Sequence, residues 1–172
     1  MLNRKYQGEH MNTFTLLLHV IGLGVGATLV MDFGLWILKQ LNIPTLNFAL
    51  LGRWVGWMFR GKFTHQAIGR SPAIQYEYLL GWIAHYSVGV FFAFSFVLIV
   101  GDAWLLQPKF WSVLLFGICT VAIPFFIMQP AMGAGIASAH TPQPLQNRLK
   151  SMFNHSIFGC GLYLTAQLLQ II

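Results

Sequence analysis

Charge is scarce in this 172-residue chain: Asp, Glu, Lys and Arg make up 8% of it, against roughly 25% in ordinary soluble domains. Hydrophobic residues make up 56%. A soluble domain of this length could bury a large core, but its surface would need far more charge than these residues provide. The composition therefore excludes an ordinary soluble domain and indicates an integral membrane protein.

The shortage of acidic and sulfur-containing groups also limits the chemistry. The carboxylates are confined to Glu9, Asp32, Glu77 and Asp102, and the two cysteines lie in apolar runs. The sequence has no CxxC pair, zinc motif, Gly-x-Ser-x-Gly elbow or Walker-type lysine. An enzyme is therefore the less favoured class, although a membrane-embedded enzyme acting on a lipid-soluble substrate stays open.

The hydrophobic residues are concentrated in four runs of about 20 residues or more, enough to cross a hydrocarbon core of about 30 Å as helices. Backbone groups in lipid must be satisfied internally, which also requires helices. We therefore predict an all-α fold, a four-helix transmembrane bundle whose single domain covers residues 11–172 after an N-terminal extension, 1–10. The predicted spans are residues 13–38, 78–100, 110–136 and 152–172.

The connection 39–77 contains an apolar segment, residues 46–60, that is interrupted by arginine and tryptophan. This composition is typical of an amphipathic helix that lies in the membrane interface, with aromatic rings at headgroup level. A re-entrant segment or a fifth, short span is the alternative.

The net charge of +6 is explained by the placement of the basic residues. Connections 39–77 and 137–151 hold seven Lys and Arg, and the other side of the membrane holds three. The positive-inside rule places both connections in the cytoplasm and both termini outside. No basic patch interleaved with aromatics is present, so the expected partner is a lipid bilayer and not a nucleic acid. The sequence leaves a homo-oligomer open.

Each predicted span contributes one polar residue to a common depth, about 5–12 Å from the cytoplasmic edge. These residues are Asp32, His85, Gln129 and His155. Glycine or threonine lies one helical turn away from each, which indicates faces that pack against other helices. A charged carboxylate at this depth costs at least about 2.5 kcal/mol, so Asp32 requires a proton, a cationic partner or a bound ion.

The leading hypothesis is binding or conduction of a proton, a cation or a small polar ligand at this layer. Asp32 would carry the charge, His85 and His155 would accept protons or ligate, and Gln129 would orient the ligand. Two histidines and a carboxylate are adequate ligands for zinc or iron, but one residue per helix is a weak metal signal, and haem lacks an attachment motif. The sequence therefore specifies no cofactor. The main alternative is a non-catalytic accessory protein whose polar layer only fixes packing.

The third span contains Pro124 and Pro130, followed by Gly133 and Gly135. Proline removes a backbone donor and clashes with the preceding turn, so we expect a kinked or unwound helix near Gln129. Such breaks often border binding sites, but a kink that serves packing alone is the simpler explanation.

Several short motifs together resemble the bacterial membrane family catalogued as unknown-function family 2938. They are residues 26–32, 51–54, 60–65, 81–86, 129–135 and 148–163. The resemblance covers most of the chain from Met11 onward. It implies a small bacterial inner-membrane protein and brings no activity, substrate or catalytic residue.

Overall fold

The computed structural model describes residues 12–171, and all regular elements in that range are helical. The predicted extension, residues 1–10, lies outside the described residues. The all-α prediction is confirmed for the described part of the chain. The α-helices are α1 (Thr13–Gln40), α2 (Phe48–Met58), α3 (Glu77–Val100), α4 (Ala103–Leu106), α5 (Phe110–Thr120), α6 (Gln129–Ala131) and α7 (Pro144–Leu169).

Three segments in residues 12–171 are long and apolar enough to cross a membrane: Thr13–Gln40, Glu77–Val100 and Phe110–Ala131. Large apolar side chains remain exposed along them, as lipid-facing surfaces require. The chain is therefore a membrane protein with three candidate spans. Helix α7 has 26 residues and falls outside this set. Polar residues lower its hydropathy, and the helix begins at Pro144, well before the start predicted for a fourth span.

The third candidate span is irregular, as the prolines predicted. Helix α5 ends at Thr120, and Pro124–Met128 forms a π-helical turn that leads into α6. The Gln129 amide donates to the Pro124 carbonyl, the spacing of a π-helix. Gly133 and Gly135 then adopt φ values of 91° and 75°. The helical segment therefore ends before residue 136, the predicted limit.

Close helix crossings depend on glycine. Helix α1 packs against α3 and α7, α5 packs against α7, and α2 packs against α3. At the α1–α3 crossing a Cβ on Gly24 would lie 2.9 Å from the Gly89 carbonyl oxygen. At the α5–α7 crossing a Cβ on Gly117 would lie 2.7 Å from the Gly159 Cα. These contacts confirm that small residues allow the helices to approach.

Helix α2 and the connection after it are tied to the start of α3. The Arg53 guanidinium donates two 2.8 Å hydrogen bonds to the Glu77 carboxylate and a 3.0 Å bond to the Ser71 carbonyl. The indole N–H groups of Trp54 and Trp57 donate to carbonyls of the same connection. With 11 residues, about 16 Å, α2 is too short to cross the bilayer alone. Its interfacial position stays a prediction.

Candidate functional site

The α1–α3 crossing brings Asp32 and His85 together. His85 lies one turn before Gly89 on α3, and Asp32 lies two turns after Gly24 on α1, so the close approach of the two glycines sets the spacing. His85 Nε2 is 2.8 Å from Asp32 Oδ1, and the two side chains are 8% and 16% exposed. The sequence-based expectation that Asp32 requires a partner is met by this imidazole.

Tyr86 is a second partner of Asp32 that sequence reasoning missed. Its hydroxyl donates a 2.8 Å hydrogen bond to Asp32 Oδ2. Adjacent residues on a helix point about 100° apart, so a pattern search for one inward face selects His85 and leaves Tyr86 out. The Asp32 carboxylate reaches both because it lies between the two side chains. Both of its oxygens are therefore hydrogen-bonded, which makes an ionised carboxylate tolerable at this position.

His155 is held by a different residue, Thr120, at the α5–α7 crossing. His155 Nδ1 is 2.8 Å from Thr120 Oγ1, and the Thr120 hydroxyl donates at 2.6 Å to the Gly117 carbonyl. Sequence reasoning also missed Thr120, because a single threonine in an apolar helix carries no distinctive signal. The two histidines are thus each oriented by a neighbouring helix.

His85 and His155 line one cavity, which we call the inner cavity. Its volume is about 250 Å³, and Thr28, Ala84 and Trp54 also contribute to its wall. Most of the remaining wall is apolar and comes from α1, α2, α3, the π-helical turn and α7. Representative residues are Met31, Leu51, Val88, Phe92, Met128 and Phe158.

Asp32 borders a second space on the other side of its bond to His85. This outer groove has a volume of about 630 Å³ and is lined by Asp32, Lys39, Asn47 and Trp82, among others. Lys39 and Asn47 belong to the connection that follows α1 or to its last turn. The Asp32–His85 pair therefore lies between the outer groove and the inner cavity.

Gln129 is placed apart from these residues. Its Oε1 accepts a 3.0 Å hydrogen bond from Ser138, and its Nε2 lies 3.4 Å from Ser151 Oγ, one turn before His155 on α7. No hydrogen bond within residues 12–171 joins Gln129 to the other three predicted residues, and Gln129 is not among the residues that line the inner cavity. Its contacts join the third span to the following loop and to α7.

The described residues contain no group of three or more His, Cys, Asp or Glu that could hold a metal ion. Asp32, His85 and His155 therefore do not form a three-residue metal centre. Each of the two imidazoles has only one nitrogen in a hydrogen bond, which leaves His85 Nδ1 and His155 Nε2 as the groups that a ligand could meet.

A third histidine, His65, is buried in the connection between α2 and α3. Its amide donates a 2.7 Å hydrogen bond to the Ala131 carbonyl, which fastens the connection to the end of the third candidate span. His65 Nδ1 is 2.8 Å from Ser71 Oγ, while Nε2 is buried without a partner. Burial lowers the pKa of His65, and the nearby Lys62 cation lowers it further. The folded connection therefore favours the neutral form of His65.

Comparison with known proteins gives one result. The sequence matches the profile of the family described as "Protein of unknown function (DUF2938)" over residues 21–169. No curated protein and no solved structure matches the chain. The matched range includes α1 from its third turn, both histidines of the inner cavity, Asp32, Tyr86 and Thr120. The chain belongs to this family of unknown function.

Proposed function

We propose that the protein binds a small ligand in the inner cavity and couples that binding to proton exchange through Asp32 and His85. The observation that carries the proposal is the position of this pair. His85 lines the inner cavity together with His155, while its partner Asp32 borders the outer groove. A purely structural ion pair has no need to connect two spaces.

Imidazole is suited to this coupling because it takes up and releases a proton near neutral pH. Because His85 Nε2 donates to Asp32 Oδ1 at 2.8 Å, the neutral ring takes up a further proton at Nδ1. The imidazolium can then pass its Nε2 proton to Asp32 Oδ1, and Asp32 borders the outer groove. While the ring holds both protons, the charge at the cavity wall is higher by one unit, which a bound ligand would detect.

The membrane setting belongs to the same proposal. Helix α7 serves as the fourth span, α2 lies in the interface, and the chain lies in a bacterial inner membrane with both connections in the cytoplasm. Support comes from the packing of α7 against α1 and α5 and from the seven-to-three division of Lys and Arg. In this orientation the outer groove faces the cytoplasm, the side to which Asp32 releases the proton.

The alternative is an accessory protein in which the pair only joins α1 to α3. The same hydrogen bonds favour that function, since interhelical bonds in membranes contribute on the order of 1 kcal/mol. The two functions differ in what the loss of the Asp32 carboxylate changes. If the pair exchanges protons, the carboxylate affects how many protons the folded protein binds, so its loss changes the shape of the stability profile against pH; if the contact serves packing alone, its loss lowers stability by the same amount at every pH.

Thermal melts of the purified protein across pH 5–8 test the proposal, with Asp32→Asn as the variant. Asp102→Asn is the matched control, because it makes the same change at a carboxylate that has no side-chain hydrogen bond to the described residues. We expect the wild type and Asp102→Asn to share one pH profile and Asp32→Asn to lose part of it. An Asp32→Asn profile that coincides with the other two, or runs parallel to them, would leave only the packing function.

A further inference from the structure

The hydrogen bonds around His155 fix which of its ring nitrogens carries the proton. The Thr120 hydroxyl has one proton, and it is donated to the Gly117 carbonyl at 2.6 Å. The 2.8 Å contact with His155 Nδ1 therefore requires the imidazole to donate, so Nδ1 bears the hydrogen. In the neutral ring Nε2 is then an acceptor with a free lone pair.

The same argument applies to His85. An ionised carboxylate only accepts hydrogen bonds, so Asp32 Oδ1 receives the proton of His85 Nε2 at 2.8 Å. Tyr86 occupies the other carboxylate oxygen as a donor. In the neutral ring His85 Nδ1 is therefore the acceptor. Among the described residues, His65 Nε2 is the one imidazole nitrogen that is both fully buried and without a hydrogen-bond partner. His85 Nδ1 and His155 Nε2 have no partner either, but they are not fully buried, so a ligand can reach them.

Both histidines line the inner cavity, whose walls are otherwise mostly apolar, so the nitrogens that they can offer to a ligand there are these two acceptors. An anion would meet lone pairs, and a ligand that only accepts hydrogen bonds would leave both nitrogens unpaired. The cavity volume of about 250 Å³ is below the roughly 300–1,000 Å³ of pockets for drug-sized ligands, so the ligand is small. The walls, with residues such as Phe92 and Phe158, favour a lipid-soluble molecule.

We propose that the ligand is a small lipid-soluble alcohol or phenol whose hydroxyl groups donate to His85 Nδ1 and His155 Nε2. This inference rests on the proposed function, because it names the class of ligand for the same cavity. Thr120 is a positioning residue in this scheme: it acts on the ligand only by holding the His155 proton on Nδ1. A diol satisfies both acceptors at once, which a monohydric compound does not.

The positioning step has a spectroscopic test that requires no ligand. Nitrogen-15 NMR of labelled imidazoles distinguishes a ring protonated on Nδ1 from one protonated on Nε2. We expect His155 to carry its proton on Nδ1 in the wild type and in Thr120→Ser, which keeps the hydroxyl. Thr120→Val should shift the population toward Nε2. An unchanged His155 spectrum in Thr120→Val would overturn the tautomer assignment.

The ligand class is tested by binding of 4-hexylresorcinol, which has two hydroxyl donors, and of its dimethyl ether, which has none. We expect the diol to bind the wild type about 10-fold or more tightly than the ether, since two hydrogen bonds are lost. Ala84→Phe adds a ring to the cavity wall, and Ile83→Phe makes a similar change at an exposed position beside it. Diol binding should be lost only in Ala84→Phe, and it should weaken in Thr120→Val and recover in Thr120→Ser.

The outcomes separate the two proposals. Equal binding of diol and ether, lost in Ala84→Phe, would overturn the hydroxyl class and leave the cavity as a ligand site. Diol binding that Ala84→Phe does not change would overturn the hydroxyl class as well, because the compound would only be dissolving in detergent or lipid. Failure of the proposed function is a different result: melts in which Asp32→Asn keeps the wild-type dependence of stability on pH.

Discussion

Asp32 Oδ1 and His85 Nε2 are joined by a 2.8 Å hydrogen bond, although the two residues lie 53 positions apart and belong to different membrane helices. The bond links a carboxylate at the outer groove to an imidazole in the inner cavity. It is therefore both an interhelical contact and a connection between two spaces.

Tyr86→Phe should destabilise the protein by about 1 kcal/mol, because it removes an interhelical hydrogen bond to an Asp32 oxygen that has no other side-chain donor among the described residues. Tyr78→Phe is the control, since Tyr78 is on the same helix, is exposed and makes no side-chain hydrogen bond to the described residues. Equilibrium unfolding in mixed micelles measures the difference. Equal stability of the two variants would show that Tyr86 does not support the carboxylate.

Acidification should destabilise the connection that contains His65. The pKa of His65 is lowered in the folded protein by burial and by Lys62, so the unfolded chain binds a proton at a pH where the folded chain does not. Stability from this group is therefore complete above the unfolded value of about 6.5 and declines as the pH falls below it.

The measurement is the slope of the melting temperature between pH 5 and pH 7. His65→Gln should flatten the slope relative to the wild type, while His140→Gln, at an exposed histidine of the same region, should change it less. A slope that is the same in the wild type and in His65→Gln would contradict the prediction.

Single cysteines at Gln66 and Gln143 should be shielded from an impermeant thiol reagent in intact cells and labelled after lysis. Both positions are exposed in the structure, so lack of labelling would reflect the membrane side and not burial. The native cysteines are replaced first, because Cys119 is exposed. The seven-to-three division of Lys and Arg is the basis of this expectation. Labelling of either position in intact cells would reverse the proposed orientation.

The sequence predicts the long helices well, because their apolar runs and the regular spacing of residues on a helix face are visible in it. Asp32 and His85 can be paired from the sequence because each lies on a long, continuous helix with glycine one or two turns away, so the helix faces that carry them are the faces that pack together. Gln129 was harder to place. It follows a π-helical turn, which changes the number of residues per turn, so faces counted from α5 no longer apply beyond Pro124.

Other contacts had no signal of their own in the sequence. Thr120 and Tyr86 belong to the candidate site because they hydrogen-bond to His155 and Asp32 on other helices. A single sequence does not reveal a contact between two helices that are distant along the chain. His65 is buried by a loop that folds beneath the third candidate span, a tertiary event that hydropathy does not register. Hydropathy predicts that the last span begins at Met152, but helix α7 extends back through a polar segment to Pro144.

The most direct test of the central claim is an experimental density map of the protein in a lipid bilayer, at a resolution that shows side chains and small ligands. We expect an open inner cavity with density between His85 and His155, in contact with His85 Nδ1 and His155 Nε2, while Asp32 stays bonded to His85 Nε2. A map in which protein side chains fill this space and both rings contact only protein would contradict the claim that the pair serves a ligand.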